Sequence, residues 1–502
     1  MTFAPEAGHI FRGNEWLTPA GVGFRDVVNP ADLTIAGRIA LATPALAEEV
    51  AREALAAQRS WKRVDAKTRA KALHDIADSI ARADMHDVAR LMVLEMGKPY
   101  PEAVGELLNV APAFRYFAEM ARDEAGKVAG TTQAGSFQFA RYEPYGVSVH
   151  IMPFNFPILL MCWTVAASLA AGNACIVKPA EATSLCTLAF MELFGKGLPP
   201  GLVSCLTGGA DVAQALIRSR STHAVAFTGS VTSGRAVAMA CAERFKPCII
   251  EAGGNDPMII SEHAPLAVAV PGAVMAAFHL SGQICTSAER FFVHEKVHDA
   301  FVEGMAAMAR QLRIGPGLGE TEIGPLVSEA ARAKVIRLIG EAEEQGARIV
   351  CGGRVPPNRN VGWFYEPTIL TGCTPQMSVM RDEIFGPVAA ICKVSSFDEA
   401  LTLANDSDFG LGASVFTDDL KEAMSAAETL EAGMVWVNNP LIDNDALPFG
   451  GWKMSGLGRE LGRQGLDAFR RSKMVVIDHD PAIQDWWYPY PQDWFYKGKS
   501  RV

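Results

Sequence analysis

Residues 224–260 read AVAFTGSVTSGRAVAMACAERFKPCIIEAGGNDPMII. An apolar run, Ala224–Phe227, enters the turn Gly229-Ser230 and continues into a helix-like segment, Gly234–Glu243, before a second apolar run at Ile249–Ile250. The turn Glu251–Gly254 leads to a third run, Met258–Ile260. Short apolar runs bounded by Gly, Pro, Asn or Asp suit strands buried on both faces, and helix between them predicts a parallel α/β sheet. A turn that passes from strand to helix through glycine leaves free amides at the helix start, where a phosphate can sit.

The same alternation extends both ways. Gly146–Ile151 and Ala174–Val177 read as further strands, and Ala45–Trp61 and Lys67–Glu95 as surface helices. Ile158–Ala171 is the longest apolar stretch, yet at about 14 residues with Thr164 and Ser168 inside it falls short of the roughly 20 that span a bilayer, so it predicts a buried helix. From Ser287 the pattern restarts: Phe291–His294, a helix over Val297–Leu312, the loop Gly315–Gly319, a helix over Glu329–Gln345 and a strand at Arg348–Val350. A second α/β domain follows, with the change near Glu251–Gly254. Lys127–Tyr142 is polar, alternating and Gly-marked, like an exposed hairpin. Trp486–Tyr496 holds seven aromatics in eleven residues, so this tail is expected to dock on its own chain or a partner subunit, or to pack as core.

Composition narrows the function. The 502 residues carry 46 basic and 56 acidic side chains, a net charge of −10, without a Lys/Arg run, which disfavours nucleic acid or an anionic membrane as partner. Met1–Arg12 has no apolar core of a signal peptide, and the ten cysteines show neither CxxC nor zinc spacing; a cytoplasmic protein with reduced thiols and no metal is expected. Three positions stand out chemically. Cys285, in Gly282-Gln283-Ile284-Cys285-Thr286, is a nucleophile if a base or an electropositive setting activates it, and a buried packing residue otherwise. Glu251, at the C-terminal end of a strand and opening a Gly-Gly turn, sits where α/β proteins place their sites; a solvated turn acid is the alternative. Asn155, in Pro153-Phe154-Asn155-Phe156-Pro157, is held stiffly enough to be an oxyanion donor, or is a turn former. No GxxxxGK[ST], GxSxG or HExxH occurs.

Seven segments in order, Pro153–Pro157, Lys178-Pro179-Ala180-Glu181, Phe227–Gly234, Glu251–Gly254, Gly282–Cys285, Glu383–Pro387 and Pro448–Gly456, resemble the NAD(P)-dependent aldehyde dehydrogenase superfamily over about residues 20–475. The resemblance implies a Rossmann-like cofactor domain (1–125 and 143–251), an α/β catalytic domain (252–470) and a small β oligomerisation element with the aromatic tail (126–142 and 471–502), assembled as a homodimer or homotetramer. It implies that Cys285 attacks the aldehyde carbon, that the Asn155 amide and the Cys285 N–H hold the oxyanion, that hydride passes to the nicotinamide, and that Glu251 activates the hydrolytic water. Lys178 and Glu181 would take the adenosine ribose, with Glu181 selecting NAD over NADP. Gly229 and Ser230 would face the pyrophosphate, Glu383 the nicotinamide ribose and Phe385 the nicotinamide, with Gly253 also among the cofactor-binding residues. Phe156, Leu160, Trp163, Ile284, Thr286, Asp443 and Phe449 would line the substrate tunnel.

Three features depart from the family pattern. Leu280 stands where Asn is frequent. Thr164 stands where a Lys belongs to a proton relay with Glu251 and Glu460. The tail is longer and more aromatic than usual. The loop before Pro448 carries Asp443 and Asp445 and no Lys or Arg, which disfavours an anionic semialdehyde. A neutral aliphatic or aromatic aldehyde is the first expectation, and a cationic aminoaldehyde, stacked on tail aromatics, the second. A CoA-acylating dehydrogenase would lack the Glu251 base. A non-catalytic protein on the fold would have no need of Cys285, Glu251 and Asn155 together.

Overall fold

The computed structural model describes residues 3–123, 126–195 and 197–495. Five parallel strands form the centre of the first sheet: Val147–Ile151, Ala174–Lys178, Val203–Cys205, Ala224–Thr228 and Cys248–Glu251. Every residue of the first four is buried, which is why their sequences are unbroken apolar runs rather than alternating ones. In space the strands lie third, second, first, fourth, fifth. The order reverses between Val147–Ile151 and Ala224–Thr228, so the chains leaving these two strands diverge to opposite faces and open a crevice at their C-terminal ends. The loop bearing Asn155 leaves the first of them and the Gly229-Ser230 turn leaves the other.

The second sheet has seven strands, with Val388–Val394, Ala288–His294, Asp256–Ile260 and Gly412–Phe416 parallel and adjacent at its centre. Just before three of these strands come Glu383–Pro387, Cys285 and Gly253-Gly254. Parallel strands put all three approaches at one edge. The site therefore lies between the C-terminal edge of one sheet and the N-terminal edge of the other.

Two sequence-based boundaries change. The helix expected over Lys67–Glu95 is two, Ala66–Arg82 and His86–Met96: Ala83 is extended, and the Asp84 carboxylate accepts the His86 N–H at 3.0 Å, starting a new helix. The stretch 448–470, placed by sequence in the second domain, returns to the first. Gly456-Leu457 pairs antiparallel with Ile250-Glu251, and Phe449, Leu461, Leu466 and Phe469 join the first core.

Leu159–Ala171 is the expected buried helix, with every residue through Ala170 buried. Among the described residues no helix is long and apolar enough to cross a membrane. Gly126–Val128, Ser136–Pro144 and Arg470–Asp478 form a separate three-stranded sheet. The tail runs on from that sheet, Gln133 donating to Gln484 Oε1 at 3.1 Å, and its rings pack on one another rather than in the core: Tyr488 tilted against Tyr490, Tyr490 stacked on Trp494. Trp486, Trp487, Tyr488 and Phe495 remain exposed, and Tyr496 lies outside the described residues.

Candidate active site

Cys285 is partly exposed and packs against the first core, although its chain segment belongs to the second sheet. Burial pushes its thiol well above the ordinary range, and the carboxylates of Asp256, Glu251, Glu383 and Asp443 push it further the same way. Such a thiol rests protonated and needs a base at the moment of attack. Asn155 comes to the same place from the first sheet. Its side chain is buried, and Nδ2 donates to the Gln283 carbonyl at 2.9 Å, two residues before Cys285, leaving the second N–H of the amide free of that bond.

Glu251 ends the fifth strand, and its carbonyl accepts the Gly229 N–H at 3.0 Å, which ties the glycine turn to it. Both carboxylate oxygens are buried without a hydrogen-bond partner. The carboxyl is raised well above the usual range, first by burial and then by Glu460, while Arg459 offsets part of this. Glu460 is equally buried and unpartnered, and its carboxyl is pushed up to about 8 by burial. Thr164 is turned away to other partners: Oγ1 lies 2.8 Å from His150 Nδ1 and donates to the Met161 carbonyl at 3.1 Å. His150 is lowered to about 3 by burial, so it brings no cation to compensate the absent lysine. Glycine makes room for the base: a Cβ on Gly450, whose φ is +148°, would overlap Glu251 Oε1.

The groups expected at the cofactor spread along the crevice. Ser230 caps the helix Val231–Ala242, its Oγ accepting the Ser233 N–H at 3.3 Å, and the exposed residues 230, 232 and 233 leave this helix start open to an anion. Lys178 closes its strand with Nζ on the Pro179 carbonyl at 3.0 Å, its pKa lowered by burial against the pull of Glu181. Glu181 pairs with Arg25, an exposed cation on the two-stranded ribbon Gly23–Val28 and Ile35–Leu41. Glu383 Oε1 accepts the Gly254 N–H at 3.1 Å, and a Cβ on Gly253 would collide with its carboxylate. Phe385 meets Phe154 edge-on at 5.8 Å. These residues fit a dinucleotide: an open helix start for phosphate, an acid at each end for ribose, and a glycine where backbone and carboxylate approach.

Leu160, Trp163 and Phe449 are buried beside Phe156, with Trp163 and Phe449 ring centres 5.1 Å apart. Thr286 is buried after the thiol, whereas Ile284 turns into a separate apolar cluster with Met96 and Leu280. Asp443 is open to water, yet crowded enough by protein that its carboxyl rises to about 6, first through desolvation and then through Asp445. The Trp436 indole N–H holds this loop at the Ile442 carbonyl, 2.8 Å away. The tail aromatics, expected near a cationic substrate, make their ring contacts with one another.

Other residues at the site carry no motif. Glu289, four positions after the thiol, accepts from the Asn255 side chain and from the Ile384 and Phe385 N–H groups at 2.7–2.8 Å, fixing the Glu383–Phe385 loop. A lone acid beside Arg290, just before the apolar Phe291–Val293, was its one visible sign. Lys98 and Glu106 lie buried behind Asn155; the Gly97-Lys98-Pro99 stop after a helix was theirs. Among the described residues no cluster of His, Cys, Asp or Glu is set to hold a metal ion.

Comparison with known proteins shows the family. Residues 16–475 match the model of the aldehyde dehydrogenase family. An aminoaldehyde dehydrogenase of Arabidopsis thaliana, described as chloroplastic, is 36% identical over 496 residues, covering 96% of this chain and 98% of its own. A betaine aldehyde dehydrogenase of Mesorhizobium japonicum is 36% identical, covering 95% and 98%. The crystal structure of betaine aldehyde dehydrogenase from Staphylococcus aureus in complex with NAD+ superposes with a TM-score of 0.92 at 30% identity, over 96% of this chain and 97% of that one. Matched in sequence and in fold across nearly its whole length, the chain belongs to the aldehyde dehydrogenase family.

Proposed function

We propose that this protein oxidises a cationic aminoaldehyde, of the betaine aldehyde or ω-aminoaldehyde kind, to its carboxylic acid with NAD. The meeting of Cys285, Asn155 and Glu251 from two sheets carries the reading. Glu251 takes the thiol proton as Cys285 attacks the carbonyl carbon. Burial raises both groups, which makes the Glu251 carboxylate a stronger proton acceptor and keeps the thiol protonated until the attack. The resulting oxyanion is held by Asn155 Nδ2 and the Cys285 N–H. Bound NAD would supply the hydride acceptor, and loss of hydride from the carbon on Cys285 would leave a thioester there. Lys178 and Glu181 would bind its adenosine ribose, the Gly229-Ser230 turn its pyrophosphate, and Glu383 with Gly253 its second ribose. Glu251 gives the thiol's proton up to solvent and then takes one from water as the water oxygen attacks the thioester; the C–S bond breaks, the acid leaves, and Glu251 returns this second proton to the Cys285 thiolate.

Charge near the thiol supports the substrate class. Asp443, close enough to act on the Cys285 thiol, and Asp445 stand in a loop with no Lys or Arg, and Trp163 with Phe449 would supply aromatic wall. The sequence placed a neutral aldehyde first; the names of the relatives favour the cationic one. NADH formation across betaine aldehyde, 4-aminobutyraldehyde, hexanal, benzaldehyde and succinic semialdehyde, with NAD and with NADP, tests this. The cationic pair should have the highest kcat/KM; preference for succinic semialdehyde would overturn the charge argument. Added CoA should change neither product nor rate. We assign the three-stranded sheet, with Val128, Phe137 and Met474 exposed, to assembly of two or four copies, and place the protein in a reducing, cytoplasmic setting on its ten free thiols.

A further inference from the structure

The oxyanion amide sits in a loop, and loops by themselves are mobile. What fixes this one is a buried charge pair that the chemistry above does not use. Lys98 and Glu106 have fully buried side chains, and Lys98 Nζ lies 2.5 Å from Glu106 Oε2. The same ammonium donates to the Asn155 backbone carbonyl at 2.6 Å and stands 4.7 Å from the Phe156 ring centre. Glu106 Oε1 accepts the Ile158 and Leu159 N–H groups at 2.9 and 3.0 Å, where the next helix begins. Loop 155–159 is thus grasped at its carbonyl by a cation and at its amides by the partner anion.

Glu106 belongs to the helix Tyr100–Leu108, and one turn earlier on the same face is Glu102. Glu102 Oε1 accepts the Leu280 N–H at 3.3 Å and pairs with His279 Nδ1 at 3.1 Å. Leu280 and Ser281 are both left-handed, with φ of 54° and 57°, a conformation that persists only when surroundings impose it. One short helix therefore holds the Asn155 loop through Glu106 and the approach to Cys285 through Glu102.

We propose that Lys98 and Glu106 are positioning residues that set the Asn155 amide against the Cys285 N–H, with Glu102 holding the opposite loop from the same helix. Buried ion pairs are weak contributors to stability, so a pair spent on two loop ends is placed for geometry. The inference rests on the proposed thiohemiacetal chemistry.

Lys98→Met alone strands a buried carboxylate and is expected to destabilise the fold. The test variant is Lys98→Met with Glu106→Gln, which removes both charges and keeps a side-chain oxygen as acceptor for the Ile158 and Leu159 N–H groups. Its kcat/KM for aldehyde should fall about 10- to 100-fold, the range for a displaced catalytic group, with NAD affinity within about twofold. Glu106→Asp, which keeps both charges and shortens one arm, should fall in the same direction if the neutral pair does not fold. In an Asn155→Ala background the Lys98/Glu106 substitutions should cost less than about threefold more, because residues acting through one another are not additive. Effects that multiply with Asn155→Ala, or unchanged kcat/KM in the otherwise native chain, would overturn the positioning role. A loss under about tenfold for Asn155→Ala itself would instead refute the oxyanion reading.

Discussion

The carboxylate of Glu251 can be displaced without altering Glu251. A Cβ at Gly450 would fall about 1 Å inside the 3.4 Å at which ordinary contact with Glu251 Oε1 begins. Backbone cannot yield readily there, since the same Cβ would also press on Arg459 Cδ at 3.0 Å and the Gly458 carbonyl at 3.1 Å. In Gly450→Ala the carboxylate retreats by about 1 Å, and a displacement of that size at a reacting group costs on the order of 100-fold. The loss should fall mainly on hydrolysis of the thioester, where Glu251 must meet a water. Stopped-flow NADH formation separates the steps: a burst approaching one equivalent per Cys285, then steady turnover about 100-fold below the native rate. The left-handed strain of Ala at φ +148° lowers stability by about 1–3 kcal/mol, so a thermal melt should confirm folded protein at the assay temperature. Steady turnover within about threefold of native would refute Glu251 as the hydrolytic base.

Cys285→Ala should show no aldehyde oxidation while NAD still raises the melting temperature; residual turnover would move the nucleophile elsewhere. Asp443, with a carboxyl near 6, is neutral below that pH and charged above it. KM for a cationic aldehyde should therefore fall as pH rises through about 6 and that for hexanal stay flat. Asp443→Asn should erase the slope at a loss of up to about fivefold, since partly exposed ion pairs contribute at most about 1 kcal/mol. Arg25→Ala frees the Glu181 carboxylate and removes a cation that a 2′-phosphate would welcome, so the NAD over NADP ratio of kcat/KM should rise; an unchanged ratio would place Glu181 away from the ribose.

Legibility followed the distance over which a signal acts. Strands buried on both faces leave apolar runs, and turns that admit no side chain leave glycines, so the sheet, the turn at Gly229 and the loop around Asn155 could be read locally. Thr164 was visible as a departure, but that it faces His150 depends on which strand lies beside its helix. Lys98 reaches across 57 residues to Asn155, and Glu102 across 178 to Leu280, each as a single charged residue indistinguishable in sequence from a solvated one. Gly450 stands within a motif, yet only the fold places Glu251 against its missing side chain. The break at Ala83 was hidden because the apolar spacing resumes in phase beyond it.

The antiparallel pairing of Gly456-Leu457 with Ile250-Glu251 bears on how the chain comes into being. During synthesis, the strand bearing Glu251 emerges with one flank bare, and its neighbour follows only after the second sheet has been made. Contacts so distant in sequence close late and slowly. A fragment ending near residue 251 would carry an open sheet edge and lack Phe449, Leu461, Leu466 and Phe469 from its core. The two halves are laced rather than joined, and a truncated gene product would be a substrate for chaperones before it was an enzyme.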